Sequence, residues 1–324
     1  MNRPRAIEIL ARFQSLLALA LLLVLISCFA DHFLTMENGL NVLRQISINL
    51  CLSIGMTMVI LSGGIDLSVG SVLALCAAVS AGLLKNGVVL SSWNVTLQFT
   101  AFGAIVAGIA IGLAAGWTNG FAITRLRLPP FVATLGMLSI ARGVTQLWTG
   151  NYPITNLGGA FRTMGTGYWL GVPMPVWISA ALVVIFAFVL QRTPFGRNLY
   201  AIGGNERAAM LSGLAVDRIK RRVYMLGGGL AAIGGLLLAA RLDAADPKVG
   251  IGYELDSIAA VVIGGTSLSG GRGSIWGTVL GCLTIGVLNN GLVLLGVSPD
   301  WQLVIKGVVI IATVAVDRMS SKKD

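Results

Sequence analysis

Q-R-T-P-F-G-R-N-L-Y-A-I-G-G-N-E-R-A-A-M-L-S-G-L-A-V-D-R-I-K-R-R, residues 191–222, is the polar stretch from which the rest of this chain is read. It carries seven cations, Arg192, Arg197, Arg207, Arg218, Lys220, Arg221 and Arg222, against two acids, Glu206 and Asp217. Its centre, residues 203–213, is a small-residue segment with room for one short helix. Nearly everything on either side is apolar. The stretch therefore reads as a basic loop between membrane spans, held on the cytoplasmic side where Lys and Arg collect.

Composition supports that setting. The 324 residues are 56% hydrophobic and 11% charged, with a mean hydropathy of +0.85. Soluble domains carry roughly 25% charged residues, so a soluble protein is excluded. The net charge of +10 raises the question of nucleic acid. Its cations flank apolar segments and form no separate basic domain, so no nucleic-acid partner is expected. Cys28, Cys51, Cys76 and Cys282 each sit in an apolar stretch without paired spacing, and read as small buried hydrophobes. His32 is the only histidine, which leaves a metal site or catalytic triad little to build on. The N-terminus, Arg3, Arg5 and Arg12 before an apolar run at 16–30, resembles a signal peptide. So many later apolar segments favour a retained first span instead.

A bilayer span needs about 17–25 apolar residues. Candidates lie at 13–30, 42–61, 67–84, 96–116, 131–148, 173–190, 223–240, 254–268, 275–295 and 302–316. The eighth and tenth are short for a core of about 30 Å. With ten spans and the N-terminus inside, the inner segments hold 16 of the 23 Lys and Arg residues. The chain is thus expected to be an all-α integral membrane protein of about ten helices (eight to ten), both termini cytoplasmic. Gly103, Gly108, Gly112 and Gly116, then Gly227, Gly228, Gly229, Gly234 and Gly235, place small residues where helices approach closely in lipid. The motif G-G-x-x-L-S-x-G occurs twice, at 63–70 and 264–271, an offset of 201 residues that marks two special turns.

Charges inside a bilayer default to functional hypotheses. Asp66 either caps a helix starting near Leu67 or serves a pathway or gate. Glu254 and Asp256 open the eighth segment, where acids suit a positive helix end. Asn289 and Asn290 lie within an apolar span. No Gly-Lys dipeptide is present, so no P-loop is formed. No nucleophile–base or metal constellation is seen either, so neither catalytic residues nor a cofactor is expected in this chain.

The runs S-G-G-I-D-L-S-V-G-S (62–71), F-G-R-N-L-Y-A-I-G-G-N-E (195–206), G-Y-E-L-D-S-I-A-A-V-V-I-G-G-T-S-L (252–268) and L-N-N-G-L (288–292) closely resemble signatures of ABC sugar-importing permeases. The similarity, over about 40–318, is to the ribose, xylose and arabinose type, and most of all to ribose permeases. It implies an ABC importer permease fold, one transmembrane domain over 1–324, in a bacterial inner membrane. It also implies a pair of permeases, a homodimer or two related chains. ATP and magnesium would be bound by a separate cytoplasmic sugar-type ATPase, and a periplasmic binding protein would deliver the sugar.

On that resemblance the coupling helix is 204–213, with Gly204, Asn205, Glu206, Arg207, Ala208, Ala209 and Gly213 as ATPase-coupling residues. Asn205 would cap it, Glu206 would favour its positive end, and the two alanines would leave room for contact. Arg207 interrupts the Glu-Ala-Ala run of many ABC permeases. The expected function is inward passage of a monosaccharide, ribose or a related pentose, by alternating access. A neutral sugar needs few charges and no tight site, so Asp66, Ser68, Ser71, Asn289 and Asn290 are candidates for the pathway or its gate. Specificity is expected largely in the binding protein, with Arg142, Arg162, Arg241 and Lys248 as its docking contacts. Two rivals remain at this point. One is a proton-coupled transporter relaying through Asp66, Glu254 or Asp256, and the other an ABC permease for branched-chain amino acids.

Overall fold

Helix starts follow local capping chemistry. The computed structural model of the chain describes residue 16 and residues 19–90 and 95–321. Arg3, Arg5, Arg12, Lys322 and Lys323, which weigh in the orientation argument, lie outside the described residues. The helices are α1 (Leu19–Phe29), then α2 (Met36–Leu61), α3 (Val69–Lys85), α4 (Ala101–Arg125), α5 (Pro130–Thr149), α6 (Gly159–Thr166), α7 (Met174–Arg192) and α8 (Pro194–Gly204). There follow α9 (Glu206–Leu211), α10 (Val216–Leu242), α11 (Tyr253–Ile263), α12 (Ile275–Leu294) and α13 (Pro299–Ser321). Thr35, Thr100, Thr193 and Ser274 each accept a first-turn N–H, opening α2, α4, α8 and α12. Proline, which lacks the donor a first turn leaves unused, opens α5 and α8.

Three antiparallel ribbons of two short strands connect helices. They pair β1 (Val88–Leu90) with β2 (Val95–Leu97), and β4 (Tyr168–Trp169) with β5 (Val172–Pro173). The third, β3 (Ile154–Thr155) with β6 (Ala244–Ala245), sets Ile154 opposite Ala245 and ties the connection after α5 to the one after α10.

Among the described residues five helices, α2, α4, α7, α10 and α12, are long and apolar enough to cross a bilayer. Helix α11 differs from the expected span at 254–268. It has 11 residues, about 16 Å at roughly 1.5 Å per residue, half the hydrocarbon thickness. It stops at a turn of the same kind that ends α2. Gly63 (φ 78°) and Gly265 (φ 83°) take the left-handed conformation that an L side chain resists. After each, the next N–H returns to a carbonyl five residues back, Gly64 to Val59 and Thr266 to Val261. The two turns thus superpose with an offset of 202, one residue away from the sequence echo. Gly63 corresponds to Gly265, and Asp66 to Leu268.

Helix α10 forms the centre, packed on α4, α2 and α3. Its crossing with α4 is made by glycine. A Cβ on Gly112 would press on the Gly228 carbonyl and come within 2.7 Å of the Ala232 Cβ. Cys51, Cys76 and Cys282 are buried as expected, whereas Cys28 is exposed on α1, whose outward side also carries Leu21 and Phe29. Gly112→Leu is therefore expected to destabilise the protein by about 1–3 kcal/mol or more, through overpacking at a backbone contact. Gly136→Leu, where nothing lies within 4 Å, should leave the thermal unfolding of the purified protein unchanged. Equal losses in the two variants would show that the crossing tolerates side chains.

Candidate functional site

The middle of the polar stretch folds as two helices, α8 and α9, set at an angle by Asn205, which is extended (φ −158°) between them, while its two ends close α7 and open α10. The Asn205 Oδ1 accepts the Ala208 N–H at 2.9 Å, capping α9. Glu206 receives Lys220 Nζ at 2.7 Å and so fastens the start of α9 to α10. Gly213 (φ 84°) closes the helix, with the Leu214 N–H returning to Ala209. Arg207, Ala208, Met210 and Leu211 face outward, Leu211 being 83% exposed. Ala209 does not join that face. It is buried against the chain itself, because a helix turns about 100° per residue and places neighbours on different sides.

Helix α8 carries this end of the chain onto two others. The Gly271 N–H donates to the Leu61 carbonyl at 3.1 Å, joining the end of α2 to the turn between α11 and α12. Gly203 lies against both groups, and a Cβ there would overlap the Leu61 carbonyl and approach Gly271 Cα to 2.9 Å. Tyr200 donates its hydroxyl to the Gly273 carbonyl at 2.9 Å. Burial holds its phenol above the ordinary range, so the hydroxyl stays a donor.

A polar cavity of about 190 Å³ opens between α2, α11, α12 and α13. Asp256, in the first turn of α11, receives Lys306 Nζ from α13 at 3.0 Å and Asn289 Nδ2 from α12 at 3.3 Å. Asn289 Oδ1 is buried and has no hydrogen-bond partner among the described residues. Asn49 lines the same space and accepts the Ser257 hydroxyl at 3.1 Å. Gln45, Arg241, Tyr253 and Gln302 complete the polar wall.

The five expected pathway residues are not brought together. Asn289 faces the cavity, but Asn290 turns away and exchanges two hydrogen bonds with Asn38 of α2, at 2.9 and 3.0 Å. Asp66 is 2% exposed and accepts both the N–H and the hydroxyl of Ser68, at 2.8 and 2.6 Å. Asn119 of α4 donates in turn to that hydroxyl at 2.9 Å. Ser71 is buried on α3. The four cations expected at a docking surface also divide. Arg162 and Lys248 are exposed. Arg142 instead reaches inward to the carbonyls of Pro247 and Val249, at 2.6 and 2.8 Å. Arg241 donates to Asn41 at 3.0 Å and lines the cavity. Carbonyls and an amide claim these two guanidinium groups, because a buried charge must be hydrogen-bonded.

A family model described as "Branched-chain amino acid transport system / permease component" matches residues 38–314. The chain belongs to this permease family. It is similar to "Ribose import permease protein RbsC" of Bacillus subtilis (strain 168), 48% identical over 97% of this chain and 94% of the relative. The protein of the same name from Escherichia coli (strain K12) is 45% identical over 94% of this chain and 92% of the relative. "L-arabinose transport system permease protein AraH" of that strain is 36% identical over 96% and 92%. No solved structure matches the chain. As a permease of this family with several apolar helices, the protein is a multi-pass protein of the inner membrane.

Sequence reasoning missed Lys306, Asn49 and Gln45 of this permease. A lysine in the middle of the span at 302–316 was itself the signal, since an intramembrane cation needs a partner.

Proposed function

We infer that the chain is the membrane permease subunit of an ATP-driven importer that passes a monosaccharide, ribose or a related pentose, inward by alternating access. The observation that carries the reading is near-full-length similarity to ribose and arabinose permeases. The family description names branched-chain amino acids, but these full-length relatives transport sugars by name. A proton-coupled mechanism gains no support from them.

On this reading the chain pairs with a second permease, a homodimer, and with a cytoplasmic sugar-type ATPase that binds ATP and magnesium. A periplasmic binding protein delivers the sugar, with Arg162 and Lys248 as the accessible contacts among those expected. Ten spans with both termini cytoplasmic fit the chain best. The junction of Leu61, Gly203 and Gly271 supports this, because it gathers the ends of α2, α8 and α11 on the side of the basic loop. Residues 204–213 are the coupling segment, and the outward face of α9 is what the ATPase grips.

The test is reconstitution with such an ATPase and binding protein. ATP-dependent uptake of D-ribose is expected, with none in vesicles holding only a proton gradient. Ala208→Glu places bulk and charge on the exposed face of α9, and should abolish sugar-stimulated ATP hydrolysis while the permease stays folded. Unchanged stimulation would remove α9 from the coupling role.

A further inference from the structure

We propose that the cavity between α2, α11, α12 and α13 is a monosaccharide-holding site within the membrane body. The permease itself would then select its cargo, in addition to the delivering protein. This rests on the sugar-import reading and departs from the expectation of a path without a tight site. Polar side chains inside an apolar bundle are costly unless they are satisfied. Here the wall is polar on all four helices, and it lines a half-open space of about 190 Å³. That is roughly six times the share of one water in the liquid, about 30 Å³. A purely structural network would close on itself. This one leaves Asn289 Oδ1 buried and without a partner among the described residues.

The chemistry of the wall fits a neutral, hydroxyl-rich ligand. Each sugar hydroxyl both donates and accepts, and the cavity offers both kinds of group. The Asp256 carboxylate and the Asn289 and Asn49 carbonyl oxygens accept, while Lys306 and the Gln45 amide donate. Planar carboxylates and amides meet two adjacent hydroxyls at once, an arrangement a lone hydroxyl or an apolar solute cannot use. The Asp256 and Lys306 charges cancel at 3.0 Å, and Arg241 keeps its charge but directs a donor to the Asn41 amide at 3.0 Å, so recognition of a neutral ligand falls to the uncharged amides of Gln45, Asn49 and Asn289. Asp256 sits on the half-length α11, whose far end is the Gly265 turn joined to Leu61 and Gly203. A sugar held by Asp256 and Asn289 therefore touches the element that the polar loop reaches.

The experiment uses the full-length permease in lipid nanodiscs, without ATPase or binding protein, and measures equilibrium binding of radiolabelled D-ribose and L-arabinose. Saturable binding is expected. Asn289→Ala and Gln45→Leu, neither of which breaks the ion pair, should each weaken it roughly tenfold, the loss of about one buried hydrogen bond. Gln45→Leu should leave the unfolding profile of the unliganded protein unchanged, whereas Asn289→Ala also removes the Nδ2 donor to Asp256 and should lower stability somewhat. Absence of saturable binding, equal affinity of both variants and the wild type, or tighter binding of D-gluconate than of D-ribose would each overturn the proposal. Uptake by the wild-type complex in proteoliposomes reports separately on the import reading. Uptake without binding to the permease alone sinks only the site, whereas no uptake of either sugar sinks the import reading.

Discussion

Lys306→Met is expected to destabilise the folded permease by about 3–5 kcal/mol, the usual cost of removing one partner of a buried ion pair. The Asp256 side chain is only 10% exposed and Lys306 23%. Without the ammonium, the carboxylate keeps one side-chain donor, Asn289 Nδ2 at 3.3 Å, which cannot replace a unit charge. Methionine retains most of the apolar stem, so the loss reports the charge rather than the packing. The compensating variant Lys306→Met/Asp256→Asn should recover most of the stability, because no uncompensated charge remains, yet it should not recover transport. Unfolding of the purified protein against a denaturing detergent checks the first statement, and sugar uptake checks the second. A single variant as stable as the wild type would show that Asp256 finds its counter-charge elsewhere.

That pair also marks how far the sequence could be read. Apolar runs located most helices within a few residues, as with 275–295 against α12 (Ile275–Leu294), because a bilayer allows little but helices. The shortness of 254–268 already set that segment apart from the longer spans, and glycine at 265 is what ends α11. Pairing was not legible. Asp256 and Lys306 are 50 positions apart, and a tally of cations by loop treats Lys306 as noise. Two adjacent asparagines likewise read as one feature, though successive helical residues diverge by about 100°. Hence Asn289 meets the cavity and Asn290 meets α2. Arg142 and Arg241 looked like surface charges because nothing local shows that a returning loop will offer them carbonyls. Asn205, by contrast, caps α9 as the resemblance implied, since capping is decided within three residues.

Gly203→Ala should uncouple the transporter more completely than any change on α9 other than loss of the grip itself. The added methyl would overlap the Leu61 carbonyl and crowd Gly271, so α8 must withdraw from the junction that gathers α2, α8 and the α11–α12 turn. Tyr200 would then lose its reach to Gly273, at 2.9 Å in the intact junction. The exposed face of α9 is untouched, so the ATPase should still bind the permease in membranes, while stimulation of ATP hydrolysis by delivered sugar falls by a factor of about ten or more. Removing the hydroxyl alone, in Tyr200→Phe, costs about 0.5–1.5 kcal/mol of hydrogen bonding and should give an intermediate loss. Gly136→Ala, on α5 outside the coupling segment and with nothing within 4 Å, separates position from composition and should couple normally. Co-purification of the ATPase together with its sugar-stimulated rate distinguishes these outcomes. Wild-type stimulation in Gly203→Ala would mean that the force of the ATPase enters through α10 and the Glu206–Lys220 tie rather than through α8.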